Sequence, residues 1–253
     1  MTSRTVLVTR PAERASRLAG LLAARAIGSV EVPTIAIDAE PFAAGVDAMV
    51  ERLAGADWLV LTSANGAEAL AMCLQRTGHR LPHGTRVAAV GPATAAALRR
   101  AGIAVDHVPA EFLTVAVADG LGDVHGRRIV LARADAATPQ LREALEEREA
   151  VVEEVAAYRI VEGPPAMHGA LHAALCRPLD GIAFTSGSTV RGLMRLASPT
   201  DRERARTLSA LCIGPVTAEV ARGAGLDVAV VANEHTAAGL AGAIRTYFQG
   251  VSQ

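Results

Sequence analysis

Four short turns in this sequence combine a small residue, a hydroxyl side chain and the start of a predicted helix, each directly after an apolar run typical of a strand. They are Thr62-Ser63, Gly91-Pro92-Ala93-Thr94, Thr185-Ser186 and Gly214-Pro215-Val216-Thr217. In parallel α/β sheets, ligands bind beyond the carboxyl ends of the strands, where helix N-termini present free backbone N–H groups. This composition suits a carboxylate or a phosphate. Any one of the turns alone is more often an ordinary helix cap, but the four together favour binding of an anionic ligand.

The turns form two matched pairs because the chain resembles itself at a displacement of 123 positions. Residues 6–10 align with 129–133, and residues 90–95 align with 213–218. The register holds without a gap from position 4 to position 108, which is too long a stretch for chance. The chain is therefore predicted to contain two copies of one unit, with a pseudo-twofold shape and a cleft between the halves.

Two further side chains are candidates for chemistry. Arg10 and its counterpart Arg133 follow the first predicted strand of each copy, where they would either serve an anionic ligand or form salt bridges. Tyr158 lies in an Ala-Ala-Tyr-Arg stretch, and its counterpart is Ile35, so this hydroxyl belongs to one copy only. A phenol, whose reference pKa is about 10, is protonated at neutral pH and can donate a hydrogen bond or a proton. Packing of the tyrosine ring is the alternative role.

Composition argues against several kinds of protein. The net charge of −1 does not favour nucleic acid or an anionic membrane as a partner. No apolar run reaches the roughly 18 residues of a membrane span, and the first ten residues contain no signal-peptide core. All 25 basic residues are arginine, which excludes Schiff-base chemistry, pyridoxal phosphate attachment and a P-loop lysine. The dispersed Cys73, Cys176 and Cys212 indicate reduced core thiols in the cytoplasm.

Motifs for cofactors and metals are missing from the sequence. No G-x-G-x-x-G follows the first strand, so dinucleotide binding is poorly supported, and no G-x-S-x-G or H-E-x-x-H occurs. His168 and His172 have a spacing that could hold a metal, but no third ligand lies nearby, so a solvated helix face is favoured. We predict neither a cofactor nor a metal site.

Strands and helices alternate along the chain to position these residues. Apolar runs predict about ten strands, at 5–9, 30–37 (which turns into an extended connector), 58–61, 87–90, 105–108, 128–132, 151–161, 181–185, 210–213 and 227–231. Helices are predicted near 15–22 and at 46–54, 67–74, 95–100, 138–148, 167–176, 189–196, 218–224 and 236–248. Near-continuously apolar strands between helices indicate parallel sheets covered on both faces. Ten strands favour doubly wound sheets over a (β/α)₈ barrel, which is the main alternative.

Taken together, these pieces resemble the uroporphyrinogen-III synthase family, cofactor-free enzymes that close a linear tetrapyrrole into a ring. The matching pieces cover nearly the whole chain in the family's order: 6–11, 61–66, 90–95, Tyr158 in its Ala-Ala-Tyr-Arg context, 184–188 and 213–218. Each piece is weak alone, and the ordered set carries the resemblance.

The resemblance implies two α/β domains joined by a two-stranded linker, with the chain crossing twice between them. Residues 1–34 would pack with 163–253, and residues 41–155 would form the other domain. Residues 35–40 and 156–162 would form the linker. The repeat alone leaves this pairing open, because equivalent units can exchange places with little change in local packing.

The resemblance also implies the chemistry. The substrate would be hydroxymethylbilane, a polycarboxylate tetrapyrrole that loses its terminal hydroxyl as water and closes with inversion of the last ring. For this reaction, one proton donor and a binding site that holds the substrate in a bent conformation would suffice. Tyr158 matches the family's proposed donor. The implied substrate-binding residues are Arg10, Thr62, Ser63, Gly91, Thr94, Ser186, Gly214 and Thr217.

The expected protein is a cytoplasmic monomer that makes at most a transient contact with the enzyme producing hydroxymethylbilane. Two alternatives remain open from the residues. A non-catalytic two-domain sensor or binding module that closes on a small anion would keep the turns without needing Tyr158. A degenerate synthase-like regulator would keep the fold and lose the activity.

Overall fold

The computed structural model describes residues 4–10, 12–109 and 116–250 of the chain. Within these ranges there are ten strands: β1 (Thr5–Val8), β2 (Gly28–Glu31), β3 (Ile35–Asp38), β4 (Trp58–Leu61), β5 (Arg86–Ala89), β6 (Arg128–Ala134), β7 (Val151–Glu162), β8 (Gly181–Phe184), β9 (Ser209–Cys212) and β10 (Val228–Val231). The same ranges contain eleven α-helices: α1 (Ala12–Ala23), α2 (Ala43–Arg52), α3 (Ala64–Thr77), α4 (Pro92–Arg100), α5 (Ala116–Gly120), α6 (Gln140–Glu146), α7 (His168–Leu175), α8 (Gly187–Leu196), α9 (Pro199–Arg206), α10 (Pro215–Gly223) and α11 (Ala237–Gly250).

The chain divides into two compact units. The split unit combines Met1–Ala36 with Ile160–Gln253, and the continuous unit is Ile37–Arg159. Each has one five-stranded sheet, in the order β10-β9-β8-β1-β2 for the first and β3-β7-β6-β4-β5 for the second. The confirmed part of the fold prediction is an α/β protein with two parallel-rich sheets, and two separate sheets exclude the single closed barrel.

Both faces of the split unit's sheet are covered, as alternate residues of β1 show. Val6 and Val8 belong to a core cluster with residues of α1 and α11. Leu7 belongs to a second cluster with residues of α7, α8 and α10. Because successive side chains of a strand point to opposite faces, the two clusters lie on the two sides of the sheet.

The continuous unit is built in the same way. Leu59 and Leu61 of β4 pack with residues of α2, α3 and α4, whereas Trp58 and Val60 pack with residues of α5 and α6. All four residues of β4 are buried, which explains why its sequence reads as an unbroken apolar run.

The predicted strand at 105–108 is wrong. This segment has one isolated bridge, between Ala88 and His107. The Asp106 carboxylate accepts a hydrogen bond from the Val87 backbone N–H at 2.7 Å, and the side chain thus takes a donor that a strand backbone would have used. The position 123 residues later is Ala229, which cannot do this, and there β10 forms.

Three elements differ from the sequence prediction in other ways, and the first is the short helix α5, which had not been predicted. Residues 30–37 contribute to two strands, since β2 belongs to the split unit's sheet and β3 to the other sheet. Helix α9 had not been predicted because it is very polar and has no apolar periodicity. Its start is nevertheless well marked, because Ser198 caps it by accepting from the Asp201 backbone N–H and a proline occupies its first turn.

Several local features recur 123 positions apart. The bounds of β4 and β8, of β5 and β9, and of α4 and α10 differ by this displacement at both ends. Among the described residues, the two non-glycine positions with positive φ are Ala26 (58°) and Glu149 (60°), again 123 apart. A positive φ is uncommon for residues with a Cβ, so its presence at two positions 123 apart is a specific structural similarity between them.

Candidate functional site

In the continuous unit, the predicted site residues leave the sheet at one edge. Strands β4 and β5 are parallel with Leu61 beside Ala89, so the turns that follow them start side by side. Leu61 also lies beside Ala132 of β6, and Tyr158 of β7 is in register with Ala134. The edge therefore carries five predicted site residues: Thr62, Ser63, Gly91, Thr94 and Tyr158.

The side chains of Tyr158 and Ser63 meet directly. Their hydroxyl oxygens are 2.7 Å apart, and either one can be the donor. The Tyr158 ring is 4% exposed and belongs to the hydrophobic core of the unit. Ser63 is also the N-cap of α3, since its Oγ accepts the Gly66 backbone N–H at 3.1 Å. Both residues were predicted from the sequence, but their contact was not, because they are 95 positions apart.

This pair can hold a phenolic proton in place. The Ser63 Oγ already accepts from Gly66, and its own proton can be donated to the Tyr158 oxygen. In that arrangement Ser63 orients the Tyr158 hydroxyl, and a phenol held in a fixed position is one kind of group that can act as a general acid. The buried ring and the helix cap together fix where that proton lies.

The split unit has a second edge of the same kind. Val8 of β1 lies beside Ala183 of β8, and Phe184 lies beside Cys212 of β9. The residues that follow these strands therefore share one edge, and among them are the predicted Arg10, Ser186, Gly214 and Thr217. Ser186 caps α8, and its Oγ is also 2.8 Å from the Ser188 Oγ.

Gly91 and Gly214 are the N-caps of α4 and α10, and a proline follows each of them in the first helical turn. Neither glycine makes a side-chain cap, so the first backbone N–H groups of these helices depend on other partners. Thr94 and Thr217 are 4% and 5% exposed, so their side chains serve packing more than ligand contact. Each turn therefore offers a ligand its backbone N–H groups.

Arg133 takes the salt-bridge role that was one of its two predicted alternatives. Its side chain is 2% exposed, and its Nε donates to Glu154 at 2.6 Å. Its Nη2 donates to the Thr138 carbonyl. The counterpart Arg10 is half-buried directly after β1, so the two arginines differ in surroundings.

Two residues near the split unit's edge had not been singled out. Thr34 is fully buried, and its Oγ1 donates to the Thr189 carbonyl at 2.8 Å, joining the end of β2 to α8. Its counterpart 123 positions later is Ala157, so comparison of the two copies could have found it. His235 lies so close to Gly214 that an added Cβ there would be 2.9 Å from the imidazole.

His172 lies on a solvated helix face but also pairs with a carboxylate. Its Nδ1 is 2.9 Å from the buried Asp201 carboxylate. Within the part of the chain that the structure describes, no group of three or more His, Cys, Asp or Glu side chains could hold a metal ion. Over the same ranges, every helix is too short or too polar to span a bilayer.

Comparison with known proteins identifies the family of the chain. A family model described as uroporphyrinogen-III synthase HemD matches residues 16–242. The chain belongs to the uroporphyrinogen-III synthase family. The family predicted from the ordered motifs is thereby confirmed.

Relatives of this synthase family match over most of the chain. A uroporphyrinogen-III synthase of Synechococcus elongatus is 31% identical over 253 residues, covering 96% of this chain and 95% of that protein. A putative uroporphyrinogen-III synthase of Methanothermobacter thermautotrophicus is 27% identical, covering 83% of this chain and 85% of that protein. A porphyrin biosynthesis protein HemD of Ruminiclostridium josui is 28% identical, and the match spans 43% of that longer protein.

Solved structures of the uroporphyrinogen-III synthase family share the fold. A mutant synthase from Thermus thermophilus superposes with a TM-score of 0.66 at 23% identity, covering 98% of this chain and 99% of that one. The synthase from Helicobacter pylori gives a TM-score of 0.60 at 14% identity, covering 94% and 96%. At such identities the likeness concerns the fold.

Proposed function

We propose that this chain cyclises hydroxymethylbilane to uroporphyrinogen III, with loss of water and inversion of the terminal ring. Membership of the synthase family supports this activity over a non-catalytic binding module. The structural observation that supports the proposed chemistry is the hydrogen bond between Tyr158 and Ser63. A binding module has no need for a phenol held at a helix cap.

Tyr158 is the proton donor in this mechanism. The pyrrole nitrogen of the substrate drives out the terminal hydroxyl, which leaves as water once it is protonated. The resulting azafulvene cation attacks the far ring through a spiro intermediate, and that ring is inverted on closure. A hydroxyl whose position is fixed by Ser63 can meet the leaving group with little loss of entropy.

The carboxylates of the substrate are held mainly by backbone donors. The caps of α4 and α10 have glycine at the N-cap and proline in the first turn, so the next N–H groups face outward at the positive end of the helix. Ser63 and Ser186 present the starts of α3 and α8 in the same way. Arg10, directly after β1, supplies a charge at the split unit's edge.

The remaining predicted contacts complete this assignment. We place Thr62, Gly91, Thr94, Gly214 and Thr217 beside the carboxylates because their turns lie at the two strand edges. His235, packed beside Gly214, adds a side-chain donor there that the sequence did not suggest. The net charge of −1 means that such local donors, and not the whole protein's field, must attract the polyanion.

We also infer that the two sequence repeats, 123 positions apart, derive from one ancestral unit. The Asp57 carboxylate accepts from the Arg127 side chain and the Arg128 backbone N–H. Asp180, 123 positions later, accepts in the same way from the Arg4 side chain and the Thr5 N–H. Shared hydrogen bonds of this kind, added to the recurring positive φ angles, support the internal repeat.

The two-stranded linker and its domain limits remain part of the proposal. The boundary between the units falls inside β3 and inside β7, and these strands are neighbours in one sheet. This supports residues 35–40 and 156–162 as the connecting segments, with 1–34 and 163–253 on one side and 41–155 on the other. Action as a monomer, with transient contact to the enzyme that supplies hydroxymethylbilane, completes the proposal. Such contact would reduce the amount of hydroxymethylbilane that closes spontaneously to give isomer I.

The activity is tested by supplying hydroxymethylbilane from its producing enzyme in the same vessel. After oxidation, the uroporphyrin I and III isomers are separated by chromatography. We expect isomer III to dominate with the protein and isomer I to dominate without it. An isomer ratio unchanged by the protein would contradict the proposed function.

A further inference from the structure

A second cluster of reactive side chains lies where α7 ends and α9 begins. Cys176, the C-cap of α7, is exposed, so the prediction of a core thiol is wrong for this cysteine. Its Sγ is 3.7 Å from the His172 Nε2, one helical turn earlier. The Arg204 Nη1 donates to the same sulfur at 2.9 Å. The thiol therefore faces a potential base and a permanent cation at once.

The imidazole is held in place by a buried carboxylate. The His172 Nδ1 is 2.9 Å from the Asp201 Oδ1, and Ser198 Oγ donates to Oδ2 at 2.7 Å. The Asp201 side chain is 1% exposed. Burial alone would raise the pKa of Asp201, but the hydrogen bonds from Ser198 and His172 and the His172 charge outweigh it, so the pKa is lowered. With its Nδ1 held by Asp201, the imidazole directs its Nε2 toward the sulfur, where the Nε2 lone pair can accept a proton.

The arrangement is that of an activated nucleophile. A thiol, a base within reach and a third group orienting that base are the parts of a cysteine–histidine nucleophile. The partial negative charge at the C-terminal end of α7 opposes a thiolate there. The charge of Arg204, which contacts the sulfur and also lies 3.7 Å from the Asp201 carboxylate, acts in the opposite direction.

The proposed cyclisation does not use this cluster. Helix α7 precedes β8, so its C-terminal end and Cys176 lie at the amino end of that strand. Ser186 follows the carboxyl end of the same strand. The cluster and the turns assigned to the substrate are thus at opposite edges of the split unit's sheet.

We propose that Cys176 is a reactive thiol that forms mixed disulfides with small disulfides. His172 accepts the thiol proton, and the thiolate attacks one sulfur of the disulfide. A new S–S bond to Cys176 forms as the original S–S bond breaks. The leaving thiolate carries away the electron pair and takes up a proton from solvent, and the incoming disulfide is the oxidant.

The chain provides its own comparison thiols. Cys73 and Cys212 are buried. Burial and a hydrogen bond to Asp47 raise the pKa of Cys73 to about 11, and burial raises the pKa of Cys212 to about 11. Neither should react while the protein is folded, so one fast thiol per chain is expected.

The test uses the folded full chain and the neutral disulfide 2,2′-dithiodipyridine at pH 7. A neutral probe is not attracted by Arg204, and release of the pyridinethione gives the rate. Modification at Cys176 is located by mass spectrometry. An ordinary thiol is a few per cent ionised at pH 7, and nucleophilicity falls as the thiolate is stabilised. We therefore expect Cys176 to react about three- to tenfold faster than the same cysteine in a short unstructured peptide.

Variants separate the cluster from simple exposure. His172→Gln and Arg204→Gln should each lower the rate by about threefold, and Cys176→Ser should remove the fast reaction. Arg206→Gln is the matched control, because it removes the same charge from α9. Arg206 itself lines a groove with Arg191 and Arg202. Cys176→Ser should leave cyclisation unchanged, so this test stands apart from the proposed function. Equal rates for Cys176 and the peptide, or equal effects of the Arg204 and Arg206 changes, would overturn the proposal.

Discussion

At the scale of single residues, the two serine caps of equivalent helices have acquired different neighbours. Ser63 and Ser186 occupy the same place in the two copies, and each accepts a backbone N–H three residues on. Ser63 faces the Tyr158 hydroxyl, whereas Ser186 faces the Ser188 hydroxyl. One helix cap is therefore coupled to a phenol and the other is not, which makes the pair a natural internal control.

The phenol itself is tested by Tyr158→Phe. The ring stays in the core while the proton donor is lost, so the fold should be kept. General acid catalysis contributes about 10²- to 10⁴-fold. We expect turnover to fall toward the lower end of that range, because the pyrrole nitrogen also drives ionisation and water can replace part of the donor. Steady-state rates with isomer analysis should show isomer III still dominant. Full activity would return Tyr158 to a packing role, and a shift to isomer I would indicate that the hydroxyl shapes the bent substrate.

The coupling between Ser63 and Tyr158 is tested by comparing Ser63→Ala with Ser186→Ala. Each change removes a helix cap and should lower the free energy of unfolding by about 1 kcal/mol. Only Ser63→Ala also removes a partner of the Tyr158 hydroxyl, so its kcat should fall several-fold while Ser186→Ala keeps a kcat near that of the unchanged protein. Denaturant unfolding and steady-state kinetics give the two quantities. The same loss of kcat in both variants would show that the hydrogen bond has no special part in turnover.

At the scale of elements, the starts of α4 and α10 have similar backbone conformations but differ in how closely other side chains approach them. Gly91 and Gly214 both have extended φ angles, −154° and −177°, that any residue can adopt. A Cβ added at Gly91 has nothing within 4 Å, whereas one at Gly214 meets the His235 imidazole. A Cβ is therefore crowded at one of these two turns and not at the other.

This difference predicts unequal costs for Gly91→Ala and Gly214→Ala. The first should leave the unfolding free energy within about 0.5 kcal/mol. The second should destabilise by about 1 kcal/mol through overpacking, which corresponds to a Tm lower by roughly 2–4 °C for a chain of this size. Calorimetry gives both values. Adding His235→Ala to Gly214→Ala should restore the Tm. Failure of this second change to do so would exclude His235 as the cause.

At the scale of the whole molecule, the sheets explain how the chain is divided. Strand β6 lies between β7 and β4, so the continuous unit needs the segment after residue 127 to complete its sheet. Strand β1 lies between β8 and β2, so the first residues of the chain need partners from its last third. The two sequence repeats therefore differ from the two folded units.

Fragments test this division. Residues 37–159 contain β4, β5 and β6 in full and most of β7, and they should fold cooperatively when expressed alone. Residues 1–126 match one sequence repeat but leave β1 without β8 and β4 without β6, so they should not. Circular dichroism during thermal melting distinguishes a cooperative transition from a gradual one. A cooperative 1–126 beside an unfolded 37–159 would show that the assignment of strands to units is wrong.

The sequence by itself determined the local features of this protein. Continuous apolar runs predicted buried parallel strands, and small polar turns predicted the starts of α3, α4, α8 and α10, because strand burial and helix capping depend on neighbouring residues. The 123-residue displacement was visible for the same reason, since each copy keeps its own local pattern. The ordered motifs were enough to predict the family.

Tertiary structure alone decided which distant residues meet. The Ser63–Tyr158 hydrogen bond joins positions 95 apart, and the Cys176–Arg204 contact joins two helices, one of which has no apolar pattern. Residues 105–108 have the composition of a strand, but the Asp106 side chain bonds the neighbouring strand in place of the backbone. Local sequence patterns likewise do not predict the pairing of residues 1–36 with 160–253, because equivalent strands can complete either sheet. Which partner each strand takes depends on the free energy of the whole packed unit.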